Sequence, residues 1–464
     1  TPSSRNNTSR YLYGNYNNVK IGRGITRENN YQNFLVVLGG NNSSNNTLTK
    51  YRLIIESGYY NTFSLTTGAI NSATVRVMAK GIYGNDYDRV NNNNDNLDLY
   101  YCASGSWGGS IYGENTTDIG LDLTVKSGVF GSGKYDNTTG IYVGGRQYGT
   151  HYTSRKVTYE GGYTYNLIGG PLTASNRSNI NDTFMYIKGG SIDMITGGAG
   201  QSATYGNRIV QLTGGKINYS VFAGSNGYNG SSSDGTVNGD GYVYVGGTAV
   251  IGDDDLISNN NLLFGAESGS VFGIGNGRSG YTSIGSSDNA NIVIEDDALI
   301  KRNVYGGGNY GATGISSSAS NSKTKIQIHG GTIEGNVYGG GNQNGSGSSS
   351  ITSSIEMLID GGLIKGSVYG GSNLNGTIYG DVKLNINGGI IEKDVYGGGY
   401  GGYQNSNQMG TYVTGSVDLL VDALKEVKTN IKGSVYGGSS FGTVNGNNNT
   451  SNDNAHVNVT VNDG

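Results

Sequence analysis

The chain has 464 residues, 84 of them glycine and 36 tyrosine, and a formal net charge of -4 with only 14% charged residues. That balance offers no basic field for a phosphate backbone, and no Lys/Arg cluster is interleaved with aromatics, so nucleic acid is excluded as an expected partner. No stretch reaches the roughly 20 apolar residues of a membrane helix, so no membrane insertion is expected within this segment, and a single cysteine, Cys102, excludes an internal disulfide framework.

Residues 1–70 read as irregular strands or the start of a solenoid, with "VKIGRGI" at 19–25 and "NFLVVLGG" at 33–40 as the clearest strands. Thr1, with neither Met nor a charged-then-apolar leader, reads as the start of a processed or trimmed product. From 71 to 464 a Gly-rich phrase recurs. It is weak at "GIYG" (81–84), "SIYG" (110–113), "IYVGG" (141–145), "NLIGG" (166–170), "MITGG" (194–198) and "VFAG" (221–224). Between Phe222 and Tyr305 both "LLFGA" (262–266) and "SVFGIG" (270–275) fit the register. It then becomes clear at 291–308 (NIVIEDDALIKRNVYGGG), 325–341 (KIQIHGGTIEGNVYGGG), 357–371 (MLIDGGLIKGSVYGG) and 383–399 (KLNINGGIIEKDVYGGG).

Each copy holds an alternating strand, a Gly-Gly corner, and a second short strand ending in tyrosine and glycines. The marker residues Tyr305, Tyr338, Tyr369, Tyr396 and Tyr436 are 33, 31, 27 and 40 positions apart. A strand-built period with no helical spacing predicts an all-β, single-stranded parallel β-solenoid (β-helix) of roughly 13 to 14 turns of about 27 to 33 residues, each strand pairing with its copies above and below. Alternation points Ile326, Ile328, Ile333 and Val337 inward and Lys325 and Gln327 outward. The corner glycines supply positive φ and let turns approach closely. Strict alternation then places the five tyrosines outward as an exposed aromatic ladder, structural or glycan-binding; a bulge at the corner turns them inward instead.

The phrase GGxIxGxVYGGG, clearest from 291 to 438, resembles the Gly-rich repeat regions of large bacterial and archaeal cell-surface proteins, adhesin-like and of parallel β-helix type. The resemblance implies an extracellular, surface-associated location and a structural or adhesive role. It carries over no catalytic residue.

Because sugar-cleaving β-helices use paired carboxylates or acidic calcium ligands, the runs Asp253, Asp254, Asp255 and Glu295, Asp296, Asp297 are the candidates to weigh. The first reads as a solvated loop. In the second, Asp296 and Asp297 stand at the corner that Gly-Gly fills elsewhere, a geometry Asp adopts readily. His151, His329 and His456 are far apart, and no His/Cys spacing suggests zinc, so no cofactor is expected beyond weak Ca2+ binding by Asp/Asn loops. Sequons at Asn115, Asn137, Asn181, Asn375 and Asn458 permit glycosylation without predicting it.

The residues HVNVTVNDG (456–464) match the strand-plus-corner half of a coil, so the sequence stops mid-turn, as a fragment of a longer surface protein or as an open edge for head-to-tail pairing. The expectation is a non-catalytic extracellular fibre or filament subunit that self-associates by strand stacking and presents a surface to a glycan or host-cell ligand. A carbohydrate-binding or carbohydrate-cleaving β-helix and a trimeric phage-type fibre are the alternatives.

Overall fold

The computed structural model describes residues 10–12, 18–21, 32–38, 51–55, 59–67, 73–78, 101–103, 119–127, 129–130, 140–143, 154–170, 181–200, 204–227, 237–277, 289–311, 322–342, 351–352, 354–404, 407–423, 428–447, 450–451 and 454–462. The copies at 81–84 and 110–113, His151, and the sequons at Asn115 and Asn137 lie outside the described residues. The chain divides into two compact units, Thr1–Gly206 and Asn207–Gly464, and each is a parallel β-solenoid.

In Asn207–Gly464 every coil contributes up to four strands, and each strand hydrogen-bonds in register to its copies one coil away. The first strands run from Arg208–Leu212 and Gly241–Val245 through Lys323–Ile328 to Val417–Val421 and Val457–Val461. After the corner, two-residue strands such as Lys216–Ile217, Leu299–Ile300 and Thr332–Ile333 form a second ladder. The third joins Val221–Phe222, Val271–Phe272, Val304–Tyr305, Val337–Tyr338, Val368–Tyr369, Val395–Tyr396 and Val435–Tyr436.

Alternation sets the interior as expected. Ile326, Ile328, Ile333 and Val337 are fully buried, whereas Lys325 is exposed. Their copies stack into continuous apolar columns: Ile300, Ile333, Ile364 and Ile391 form one, Val304, Val337, Val368 and Val395 another, none more than 1% exposed. Burying each such side chain contributes about 1.5 to 3 kcal/mol, a gain no single coil could collect alone. A fourth ladder, Ile351–Thr352, Gly376–Ile378, Thr411–Val413 and Gly442–Val444, packs Ile378 and Val413 against Ile355, Val382 and Val417.

The glycines do two separate jobs. At the corners Gly331, Gly362 and Gly389 have φ of 76°, 80° and 83°, and Asp296 takes the same conformation at 56°. After the tyrosines the demand is proximity: a Cβ on Gly306, Gly339 or Gly370 would lie 2.2 to 2.3 Å from the carbonyl oxygen of the corresponding glycine one coil on.

The register between Phe222 and Tyr305 is settled by Val271–Phe272, which pairs with both neighbours. "LLFGA" belongs instead to an insertion, in which Leu262–Leu263 pairs antiparallel with Ala266–Glu267, and this lengthens the step from Val243 to Ile292 to 49 residues.

In Thr1–Gly206 the strands Asn18–Ile21, Tyr51–Ile55, Ala73–Met78, Ile119–Ser127, Ser154–Tyr159 and Thr183–Ile187 form a parallel ladder, and Arg10–Leu12, Gln32–Leu38 and Tyr59–Thr67 begin another. Val157, stacked between Leu123 and Met185, is fully buried with both.

Candidate functional site

The expectation of an exposed tyrosine strip does not hold. Tyr305, Tyr338 and Tyr369 are 0%, 3% and 6% exposed, and only Tyr436, at 46%, opens substantially to solvent. The alternation rule presumes that the face opposite the core meets water; here residues from loops and the insertion close over it. Glu267 from the inserted hairpin and Asn373 from a loop reach the Tyr305 hydroxyl, and the Tyr400 ring meets Tyr369 edge-on at 5.6 Å.

Beneath that cover seven rings stack. From Phe222 through Phe272, Tyr305, Tyr338, Tyr369 and Tyr396 to Tyr436 the centroid separations are 4.5, 4.8, 5.0, 5.0, 5.0 and 4.8 Å, with interplanar angles of 5° to 13°. The spacing follows the strand separation of about 4.8 Å, so the backbone ladder dictates ring contact. Each stacked pair adds about 0.5 to 1.5 kcal/mol beyond burial.

The hydroxyls are served by polar side chains. Tyr305 donates to Glu267 Oε1 at 2.9 Å and accepts from Asn303 Nδ2 at 3.0 Å and Asn373 Nδ2 at 3.4 Å. Tyr338 accepts from Asn336 Nδ2 at 2.9 Å, and Tyr396 donates to Asp394 Oδ2 at 3.5 Å. Burial is the main cause that pushes the phenols upward: Tyr305 and Tyr338 lie well above the ordinary tyrosine range and Tyr369 is pushed up to about 12. For Tyr396 burial is joined by the Asp394 carboxylate. Glu267 gathers further partners, accepting from Ser270 Oγ and Asn303 Nδ2, each at 2.7 Å, with Arg302 Nε at 3.5 Å.

Asparagine builds two more columns. The buried amides of Asn226, Asn276, Asn309 and Asn342, and the partly buried amide of Asn373, form a chain in which each Nδ2 donates to the preceding Oδ1 at 2.7 to 3.1 Å. At the position before each valine, Asn303 Oδ1 accepts the Asn336 N–H and Asn336 Oδ1 accepts the Ser367 N–H, both at 2.8 Å, while Asp394 Oδ1 accepts that of Ser434. In the first column these contacts satisfy buried polar groups, Asn226, Asn276, Asn309 and Asn342, that would otherwise cost about 1 to 3 kcal/mol each.

Four of the six acidic candidates have partners within the fold. Asp253 caps the short helix Asp254–Ser258 and pairs with Lys216 at 2.6 Å, and Asp254 pairs with Lys301 at 2.7 Å. Glu295 accepts the Tyr244 hydroxyl, an interaction that helps push that phenol up to about 12, and Asp296 Oδ2 accepts the Gly247 N–H at 2.9 Å. His329 Nδ1 contacts Asp360 at 2.6 Å.

One trio has the order of nucleophile, base and orienting carboxylate: Ser416 Oγ lies 3.3 Å from His456 Nδ1, and His456 Nε2 lies 3.2 Å from Asp418 Oδ1. Its members are ladder neighbours, since Ser416 Oγ also accepts the His456 N–H and Asp418 also accepts from Asn458. The His456 and Asp418 side chains are about half exposed, at 53% and 49%, without the water-excluded setting that strengthens such catalysis. Among the described residues no three His, Cys, Asp or Glu converge to hold a metal ion.

Sequence reasoning found the five tyrosines and missed Glu267, which lies in an insertion with no periodic copy to mark it. It also missed the asparagine columns, although an Asn does follow the glycine triplets at Asn309 and Asn342. No protein-family model matches the chain, and no curated protein and no solved structure matches it.

Proposed function

We propose that this chain is a non-catalytic, structural and adhesive segment of an extracellular surface protein, a stiff spacer that displays its variable loops and assembles head to tail by coil stacking. The observation that carries the reading is the in-register stacking of coils in Asn207–Gly464, where side chains such as Ile333 and Val337 are fully buried because a copy of the same strand lies on either side. A coil of the same pattern from a second copy can stack by the same pairing.

The partner that fits is a second copy of the chain, because strands of one pattern recur in both units: Asn18–Ile21, NVKI, and Asn458–Val461, NVTV, match residue type for residue type except at Lys20. Supporting a structural role over sugar cleavage, Asp253 is engaged by a helix cap and Lys216, and Glu295 by the Tyr244 hydroxyl.

Light scattering and negative-stain imaging of the purified chain test the proposal. Expected are concentration-dependent open-ended rods that Val459→Lys abolishes while leaving the far-ultraviolet circular dichroism intact. A monomer at every concentration would reject the assembly, an obligate trimer would favour a phage-type fibre, and reducing-sugar release lost in Asp254→Ala would replace the structural role with an enzymatic one.

A further inference from the structure

Two columns of alternating charge cross the unit Asn207–Gly464, and they differ in how they are neutralised. On the second strands Lys365 meets Glu334 and Lys432 meets Glu392 within the chain. On the outward face of the first strands Lys325, Glu356, Lys383 and Asp418 stand in register, one to a coil. Glu356 is held by Lys323 at 2.8 Å and keeps 43% of its side chain exposed, but Lys325 and Lys383 are exposed and make no ion pair among the described residues. We propose that this face docks side by side onto the same face of a second copy running antiparallel.

The face is open. Every outward side chain of Lys323–Ile328, of Val417–Val421 and of the stretches 354–359 and 382–386 is exposed or half-buried, whereas loops close over the third strands. Its charges select the occupant. A partner of one sign would be repelled at every other coil, so the complement is a column that alternates at the same spacing of about 4.8 Å per coil, and the chain itself carries one. A two-fold axis parallel to the strands, midway between the coils of Glu356 and Lys383, lays the column on itself in reverse order. Lys325 then faces Asp418 of the second copy and Glu356 faces its Lys383, each contact occurring twice. In the neighbouring column Leu358 faces Asn385 and Gln327 faces Leu420, so no charge is left unpaired there. Moving the axis onto the coil of Glu356 sets that carboxylate against itself and Lys325 against Lys383, so the charges also fix the register.

Strands of five or six residues on four coils make a small footprint, so one pairing is weak and reversible, and many copies presented together hold firmly. Copies carried on facing surfaces run antiparallel. The docking thus gives the adhesive role a homophilic form and rests to that extent on the reading above, while the contact itself needs no head-to-tail stacking.

Sedimentation equilibrium of the full chain carrying Val459→Lys, introduced against head-to-tail stacking, tests the docking at low ionic strength and in molar salt. Expected is a monomer–dimer equilibrium that salt shifts to monomer. Lys325→Glu with Lys383→Glu makes the column wholly acidic, and Glu356→Lys with Asp418→Lys makes it wholly basic. Each variant should be monomeric alone, and an equimolar mixture should restore the dimer. Near-ultraviolet circular dichroism verifies that each is folded. Should a doubled variant not fold, Lys383→Gln decides: by symmetry it removes two of the four ion pairs and should raise the dimer dissociation constant about fivefold. A monomer at every concentration, a dimer that the charge variants leave unchanged, or a mixture of folded variants that does not associate would overturn the proposal. Open-ended rods of the parent chain would survive any of those results, because they report the other contact.

Discussion

Tyr338 and Gly339 are adjacent, yet the fold asks one for bulk and the other for none. A Cβ on Gly339 would sit 2.3 Å from the Gly370 carbonyl oxygen and 2.7 Å from Ile355 Cγ2. Backbone cannot swing aside as a side chain can, so Gly339→Ala should cost about 3 kcal/mol, seen as a lower urea midpoint and as loss of amide protection first in the coils either side. The tyrosines predict an alkaline limit. Burial pushes the Tyr369 phenol up to about 12 from its ordinary 10.0, and the hydrogen bond to Glu295 pushes Tyr244 up likewise. A raised phenol contributes stability that is fully present below pH 10 and is lost as pH climbs toward 12. Phenolate absorbance should therefore rise in two stages, exposed tyrosines first and the stack only together with loss of near-ultraviolet ellipticity. At this scale the sequence was legible wherever alternation meets a real core, as at Ile326, Ile328, Ile333 and Val337. Asp296 was also read correctly, because a left-handed corner leaves few residue types to choose from. The tyrosines were misread because period-2 reasoning knows nothing of loops that return over a strand.

At the scale of the element, the unit of stability is the column. Residues following the second-strand isoleucines alternate in sign from coil to coil, Lys301, Glu334, Lys365, Glu392 and Lys432, and Lys365 meets Glu334 at 2.7 Å while Lys432 meets Glu392 at 3.0 Å. The first strands repeat the device with Lys325, Glu356, Lys383 and Asp418 in register. Glu356, whose carboxyl is held below its usual range chiefly by the hydrogen bond from Lys323, marks the ladder electrostatically. Exposed pairs of this kind contribute little each, but pairing that skips a coil would set like charges together in each column at that junction, Lys301 against Lys365 for example, so their main effect is on register. Lys365→Glu should lower the urea midpoint at low ionic strength more than Lys365→Gln does, and molar salt should erase the difference. The columns were legible because equal residues recur at a fixed phase. The inserted hairpin was not, since "LLFGA" imitates the repeat in composition while Leu262–Leu263 pairs antiparallel with its own neighbour.

At the scale of the whole molecule, periodicity told that coils stack but not what the loops cover, and the candidate site lies in that cover. Glu267, Asn373 and Tyr400 convert an outer face into a second interior, and each comes from a segment whose length varies between coils. The central claim is that equivalent positions touch across coils, and thiol cross-linking in a Cys102→Ser background reads it directly. Gln327 and Leu358 are register partners on the outward face, and Asn385 lies one coil beyond Leu358. A short bis-methanethiosulfonate reagent, which forms a disulfide with each cysteine and releases methanesulfinate, should join Gln327→Cys to Leu358→Cys rapidly and leave Gln327→Cys with Asn385→Cys unlinked. Equal reaction of both pairs, or none with the first, would contradict the stacked architecture.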